Sequence, residues 1–182
     1  MRDSSGWHPT AFRSHTIGQI VSGGADLVGE EVSIAGYAET VRGRGAIAFI
    51  MLRDGTGHIQ AFAKKDNMEE ATFDALQSAT RESTIQVTGT VAQKRPPKTK
   101  EGEAPPAPEF EIQVTSAVIL SSADAPLPVG VIDDVNVGLD IRLDNRYLDL
   151  RRAHVNAMFQ MPSKVLQSGR DPLTTEGAGE NN

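Results

Sequence analysis

Between Glu31 and Leu120 the apolar residues recur mostly at every second position, the period that places alternate side chains on opposite faces of a strand. "EVSIAGYAETV" alternates through Val32 and Ile34 and carries a glycine where a strand bends. "AIAFIMLRD" and "HIQAFA" are apolar runs joined by the Gly-rich "DGTG", a hairpin signal. "STIQVTGTVAQK" alternates through Ile85 and Val87, and "EFEIQVTSAVIL" through Phe110, Ile112 and Val114, which predicts two further strands. The period changes at "DNMEEATFDALQSAT": Asp66 or Asn67 is a candidate N-cap, Glu69 and Glu70 fall in the first turn, and Met68, Phe73 and Leu76 form an apolar stripe. A short helix is predicted there. "KRPPKTKEGEAPPAP", rich in Pro and charge, reads as a mobile surface loop.

Three strands, a helix and two strands within roughly a hundred residues give the arrangement of the OB-fold, a partly open five-stranded barrel whose second and third strands form its usual binding face. The predicted class is therefore mainly β, an OB-fold barrel with a helix between strands 3 and 4, followed by a linker and a C-terminal helical stub.

The hairpin allows a further step. With Asp54 to Gly57 as the turn, counting outward sets Arg53 opposite His58, Met51 opposite Gln60 and Phe49 opposite Phe62. Ile50, Leu52, Ile59 and Ala61 then share one uniformly aliphatic face, the natural core. Phe49, Met51, Gln60 and Phe62 share the other, close to Arg42 and Arg44. Aromatic rings beside an amide and an arginine suit single-stranded bases, which gain about 1 to 3 kcal/mol each by stacking while the polar groups read base edges. The same residues fit a plainer role, two rings closing the barrel end with a polar residue at the rim. Geometry leaves both open.

Composition narrows the function classes. With 38% hydrophobic and 23% charged residues, the 182-residue chain has room for one well-packed domain plus an appendage. No apolar run reaches the roughly 20 residues of a membrane span, and "MRDSSGWHPTAFRSH" lacks a signal-peptide core, so a cytoplasmic protein without membrane contact is expected. There is no cysteine, hence no disulfide or thiolate metal site. His8, His15, His58 and His154 have no ligand spacing, so neither a metal site nor a catalytic histidine is predicted. A net charge of −6 argues against sequence-blind nucleic-acid binding by bulk electrostatics. Basic residues nevertheless gather at Arg42, Arg44, Arg53, Lys64 and Lys65, and again at Lys94, Arg95, Lys98 and Lys100, while acids concentrate near Glu101, Glu103, Asp133 and Asp134. These are either a local basic surface or solvated loop charges.

"VSIAGYAETVRGRGAIAFIMLRDGTGHIQ", "IQVTGTV", "FEIQV" and above all "LDIRLDNRYLDLRR" resemble the N-terminal anticodon-binding domain of class IIb aspartyl-tRNA synthetases, the archaeal and eukaryotic branch in particular. The likeness runs from about His15 to Arg170, and the last motif is specific because nothing in barrel physics demands it. It departs at Tyr37, where the family usually has Trp. The resemblance implies that Phe49 stacks on the middle uridine of the anticodon and that Gln60 hydrogen-bonds it. It implies that Arg42 contacts the anticodon stem or loop, that Glu111 lies near the first anticodon base, and that the loop from Gln93 to Pro108 touches the third.

It further divides the chain into an N-terminal extension (1–14), the OB-fold domain (15–120), a linker (121–137) and the entry to a class II catalytic domain (138–182). In that last segment Val155, Met158, Phe159, Val165 and Leu166 fit a helix face, with a kink or break expected at Pro162. Gly177 and Glu180 match the start of catalytic motif 1, but Ala178 and Asn181 replace its large apolar positions, and motifs 2 and 3 are not found. The resemblance thus implies tRNA as partner, the aspartate tRNA first and the asparagine tRNA as second candidate. ATP, Mg2+ and homodimerisation belong to a full-length parent, and this chain is expected to have no cofactor and no ligase activity alone. The alternative is a free-standing OB-fold module that binds RNA or protein.

Overall fold

The computed structural model describes residues 12–94, 109–132 and 136–176. The basic and acidic loop residues between Arg95 and Pro108, the acids Asp133 and Asp134, His8, and the motif 1-like positions Gly177 to Asn181 lie outside the described residues.

Five strands close into a barrel: β1 (Glu31–Arg44), β2 (Ile47–Arg53), β3 (His58–Lys64), β4 (Thr84–Gln93) and β5 (Phe110–Ser121), in the spatial order β1-β2-β3-β5-β4. All neighbours are antiparallel except β3 and β5, whose parallel pairing closes the barrel. The long β1 serves two partners, β4 along its first half and β2 along its second. Where it changes partner it bulges, between Ala38 and Thr40, two residues beyond the glycine expected to bend it. Gly36 has a different reason to be glycine, since a Cβ there would stand 2.5 Å from the Arg53 carbonyl oxygen.

The alternation predicted for the strands is the alternation observed. Val32, Ile34, Ile50, Leu52, Ile59, Ile85, Val87, Ile112 and Val114 are buried inside the barrel. A helix that the strand pattern did not reveal, α1 (Ile17–Leu27), adds Ile17 and Ile20 to this core. Its start is a capping box: the Gln19 N–H donates to Thr16 Oγ1 at 3.2 Å and the Thr16 N–H to Gln19 Oε1 at 2.9 Å. Next come the N–H groups of Ile17 and Gly18, which donate to Asp54 Oδ2 (2.9 Å) and Thr56 Oγ1 (2.8 Å) in the β2–β3 turn. Asp54 also accepts from the N–H groups of Thr56 and Gly57, so one carboxylate shapes the turn and anchors the helix.

The helix expected after β3, α2 (Glu70–Ser78), starts later than predicted. Asp66 and Asn67 do not cap it; they belong to a short 3-10 turn, Lys65–Asn67, closed by the Met68 N–H on the Lys65 carbonyl. Met68 itself is extended and packs against the core, so the helix cannot run through it. Phe73 and Leu76 face the barrel as the stripe required.

Residues from Pro126 onward form a second compact unit. Val129, Val131 and Leu148 make its small core, joined by Leu127. Helices α3 (Leu139–Asp144) and α4 (Arg146–Asp149) lead to α5 (Ala153–Thr175), which is not broken at Pro162, where the sequence predicts a kink or break, and which continues through Pro172 as well. A proline removes one hydrogen bond, and on an exposed helix water satisfies the carbonyl so released. Only Val155 of the predicted apolar face is buried; Met158, Phe159, Val165 and Leu166 are exposed.

Candidate nucleic-acid interface

The register of the β2–β3 hairpin matches the symmetric count from its turn: Arg53 faces His58, Met51 faces Gln60 and Phe49 faces Phe62. Because the core takes Ile50, Leu52, Ile59 and Ala61, the alternate set must look outward. Four strands extend that outward surface as parallel rows. One row runs Arg42, Phe49, Phe62, Gln113 across β1, β2, β3 and β5. The next runs Thr40, Met51, Gln60, Glu111.

In the first row Phe49 is 39% exposed, unusual for a phenylalanine within a barrel wall. Its ring lies 5.1 Å from that of Phe62, tilted by 30°. The Lys64 ammonium stands 5.4 Å from the Phe62 ring centroid, a cation-π contact, and Arg42 is exposed directly across from Phe49. The rings therefore form an open platform with cations at two sides.

In the second row the parallel β3–β5 pairing sets Gln60 beside Glu111, far away in sequence, and Gln60 Nε2 donates to Glu111 Oε2 at 2.9 Å. Glu111 thus points away from the apolar set, as its position between Phe110 and Ile112 implied. Beside Gln60 opens a pocket of about 410 Å3, lined among others by Val21, Met51, His58, Lys94 and Phe110. At its edge Lys94 Nζ bonds Glu109 Oε2 at 2.8 Å, and this hydrogen bond holds the Glu109 carboxyl below the usual carboxylate range.

All four residues singled out in the sequence lie on this one surface: Phe49 and Arg42 as cross-strand neighbours, Gln60 and Glu111 in direct contact. Gln113 and Lys64 belong to the surface as well. Alternation from Glu111 would have placed Gln113 there, whereas its pairing with Phe62 depends on the long-range β3–β5 register. Among the described residues no group of three or more His, Asp or Glu could hold a metal ion, and no helix is long and apolar enough to cross a membrane.

A closed five-stranded barrel in the order β1-β2-β3-β5-β4, with a helix between β3 and β4, is an OB-fold, the class whose β2–β3 face binds oligonucleotides or oligosaccharides. Residues 32–120 accordingly belong to the tRNA anticodon family, described as an OB-fold nucleic acid binding domain. Within that class the chain is similar to aspartyl-tRNA synthetases, whose anticodon-binding OB domain residues 32–120 match. It is 39% identical over 155 residues to the aspartate-tRNA(Asp/Asn) ligase of Haloquadratum walsbyi, covering 85% of this chain and 33% of that protein. It is 40% identical over 153 residues to the aspartate-tRNA(Asp) ligase of Picrophilus torridus, covering 84% and 33%. Among solved structures, the aspartyl-tRNA synthetase of Entamoeba histolytica superposes with a TM-score of 0.76 at 26% identity, over 100% of this chain and 41% of that one. The chain spans about a third of the length of the curated relatives it matches.

Proposed function

We propose that this chain reads the anticodon loop of the aspartate tRNA, as the anticodon-binding part of an aspartyl-tRNA synthetase. The observation that carries the reading is Phe49, exposed on the barrel's outer face beside Arg42 and Phe62. Phe49 stacks on the middle uridine and Gln60 bonds its edge. Arg42 contacts the stem or loop backbone, and Glu111 lies toward the first anticodon base. Arg42, Arg44 and Lys64 supply local positive charge on a chain whose net charge is −6, so binding weakens as salt rises and counterions compete.

The reading assigns residues 15–120 to recognition, 121–137 to the linker and 138–182 to the approach to a catalytic part. ATP, Mg2+ and dimerisation enter with a full-length synthetase, acting on the aspartate tRNA or on the aspartate and asparagine tRNAs together. Its place is the cytoplasm.

The test is a titration of the chain with an anticodon stem-loop carrying GUC and with its GCC counterpart. GUC is expected to bind better, with micromolar affinity or weaker. Phe49→Ala should lower that affinity by roughly 5- to 150-fold, the equivalent of about 1 to 3 kcal/mol for one stacked base. Equal binding of both loops, or unchanged binding by Phe49→Ala, refutes the reading.

A further inference from the structure

The Gln60–Glu111 hydrogen bond fixes more than the position of an amide. A glutamine side chain presents a donor and an acceptor on nearly the same outline, and turning it over exchanges them. An ionised carboxylate only accepts, so Glu111 admits one of the two orientations: Nε2 toward Glu111, Oε1 away from it. The opposite orientation would set two oxygens against each other at 2.9 Å.

Uracil and cytosine differ in the same sense as the two orientations. At positions 3 and 4 uracil offers an N–H donor and a carbonyl acceptor, whereas cytosine offers a ring-nitrogen acceptor and an amino donor. An amide free to turn would satisfy either base in the same place. A locked amide satisfies one.

We propose that Glu111 is the positioning residue that makes Gln60 selective: by holding the amide in one orientation it lets this face accept uridine and reject cytidine at the stacked position. The proposal rests on the anticodon reading above and deepens it, since Glu111 then acts through Gln60 whatever it also contributes at the neighbouring base. Both residues are half-buried and adjacent on paired strands, so the bond is present before any RNA arrives.

The test measures the ratio of affinities for GUC and GCC stem-loops in three proteins. The full chain should prefer uridine by about tenfold or more, the scale of one charge-assisted hydrogen bond that must break for the amide to turn. Glu111→Gln, whose own amide donates or accepts, should bring the two loops to within about threefold of each other. Glu111→Lys offers only donors, draws Oε1 toward itself, and should invert the preference in favour of cytidine. That inversion is an effect that a merely structural role, or added positive charge, would not produce.

A Glu111→Gln protein that keeps the full ratio, or a Glu111→Lys protein that still favours uridine, overturns the lock while leaving the anticodon reading intact. Equal binding of both loops by the unsubstituted chain overturns both. A second readout needs no RNA: the Gln60 side-chain NH2 signals should show one proton engaged by the carboxylate, and Glu111→Gln should shift it. Two averaged, solvent-like protons in the unsubstituted chain would likewise overturn the lock.

Discussion

Gly24 is buried in α1 against the edge of the Phe110 ring, and a Cβ built on it would lie 2.2 Å from Phe110 Cδ2 and 2.4 Å from Cε2. Carbon atoms in contact settle at about 3.5 to 4.0 Å, so Gly24→Ala demands a retreat of more than about 1 Å by the ring or the helix. Phe110 packs against the barrel core on one side and lines the pocket beside Gln60 on the other, so the ring can yield only by leaving its core contacts. Overpacking of this kind costs about 1 to 3 kcal/mol. Against it stands the gain from replacing glycine inside a helix, about 0.8 to 1 kcal/mol. The expected net effect is a destabilisation of about 1 kcal/mol.

The sign should depend on Phe110. In a Phe110→Ala background the obstacle is gone and only the helix-propensity gain remains, so Gly24→Ala should stabilise by nearly 1 kcal/mol. Urea unfolding of the four proteins gives the coupling directly. Hydrogen exchange at the Ile112 and Val114 amides tells whether the barrel is what opens. If Gly24→Ala stabilises the chain by the same amount with and without Phe110, then α1 does not rest on that ring and the packing argument fails.

Two further perturbations address other anchors. Asp54→Ala removes the acceptor for the Ile17, Thr56 and Gly57 N–H groups and should cost about 2 to 3 kcal/mol; Ile20 in α1 should lose exchange protection, and undiminished protection would show that the turn does not hold the helix. Asp149, held below the usual carboxylate range first by the hydrogen bond from Arg142 and also by Arg152, should stabilise the second unit above the ordinary value near pH 3.9 and lose that contribution as pH falls through its lowered value. A carboxyl NMR titration checks this, with Arg142→Ala expected to move Asp149 upward; titration at or above about 3.9 in the unsubstituted chain would contradict it.

What the sequence disclosed and what it hid follow from the range of the interactions. The hairpin register was legible because its turn lies within the same eighteen residues, and burial of one aliphatic face excludes a slip. The contact between Gln60 and Glu111 was not legible, because it depends on a parallel pairing across 51 residues, with α2 and β4 lying between the two strands in the chain. Helix α1 carried a readable start in Thr16 and Gln19, but Gly23 and Gly24 weaken its apolar period. The reason for Gly24 is tertiary: it makes room for Phe110. The late start of α2 has the same origin, since Met68 leaves the helical path to reach the core.

The most distinctive string in the chain, "RLDNRYLDLRR", proves to be architecture. Asn145 sits between α3 and α4 and ends one helix as the next begins. Leu148 then falls onto Val129 and Val131, while Asp149, nearly buried, receives both guanidinium bonds of Arg142 at 3.0 Å and one from Arg152 at 3.2 Å. A buried carboxylate without those partners would be strongly destabilising, so the two arginines and the aspartate must be present together. The proposed base contacts, by contrast, fall to an ordinary hairpin. Once the barrel has claimed Ile50, Leu52, Ile59 and Ala61, a phenylalanine and a glutamine at the alternate positions have only the outer face to occupy, where a base can reach them.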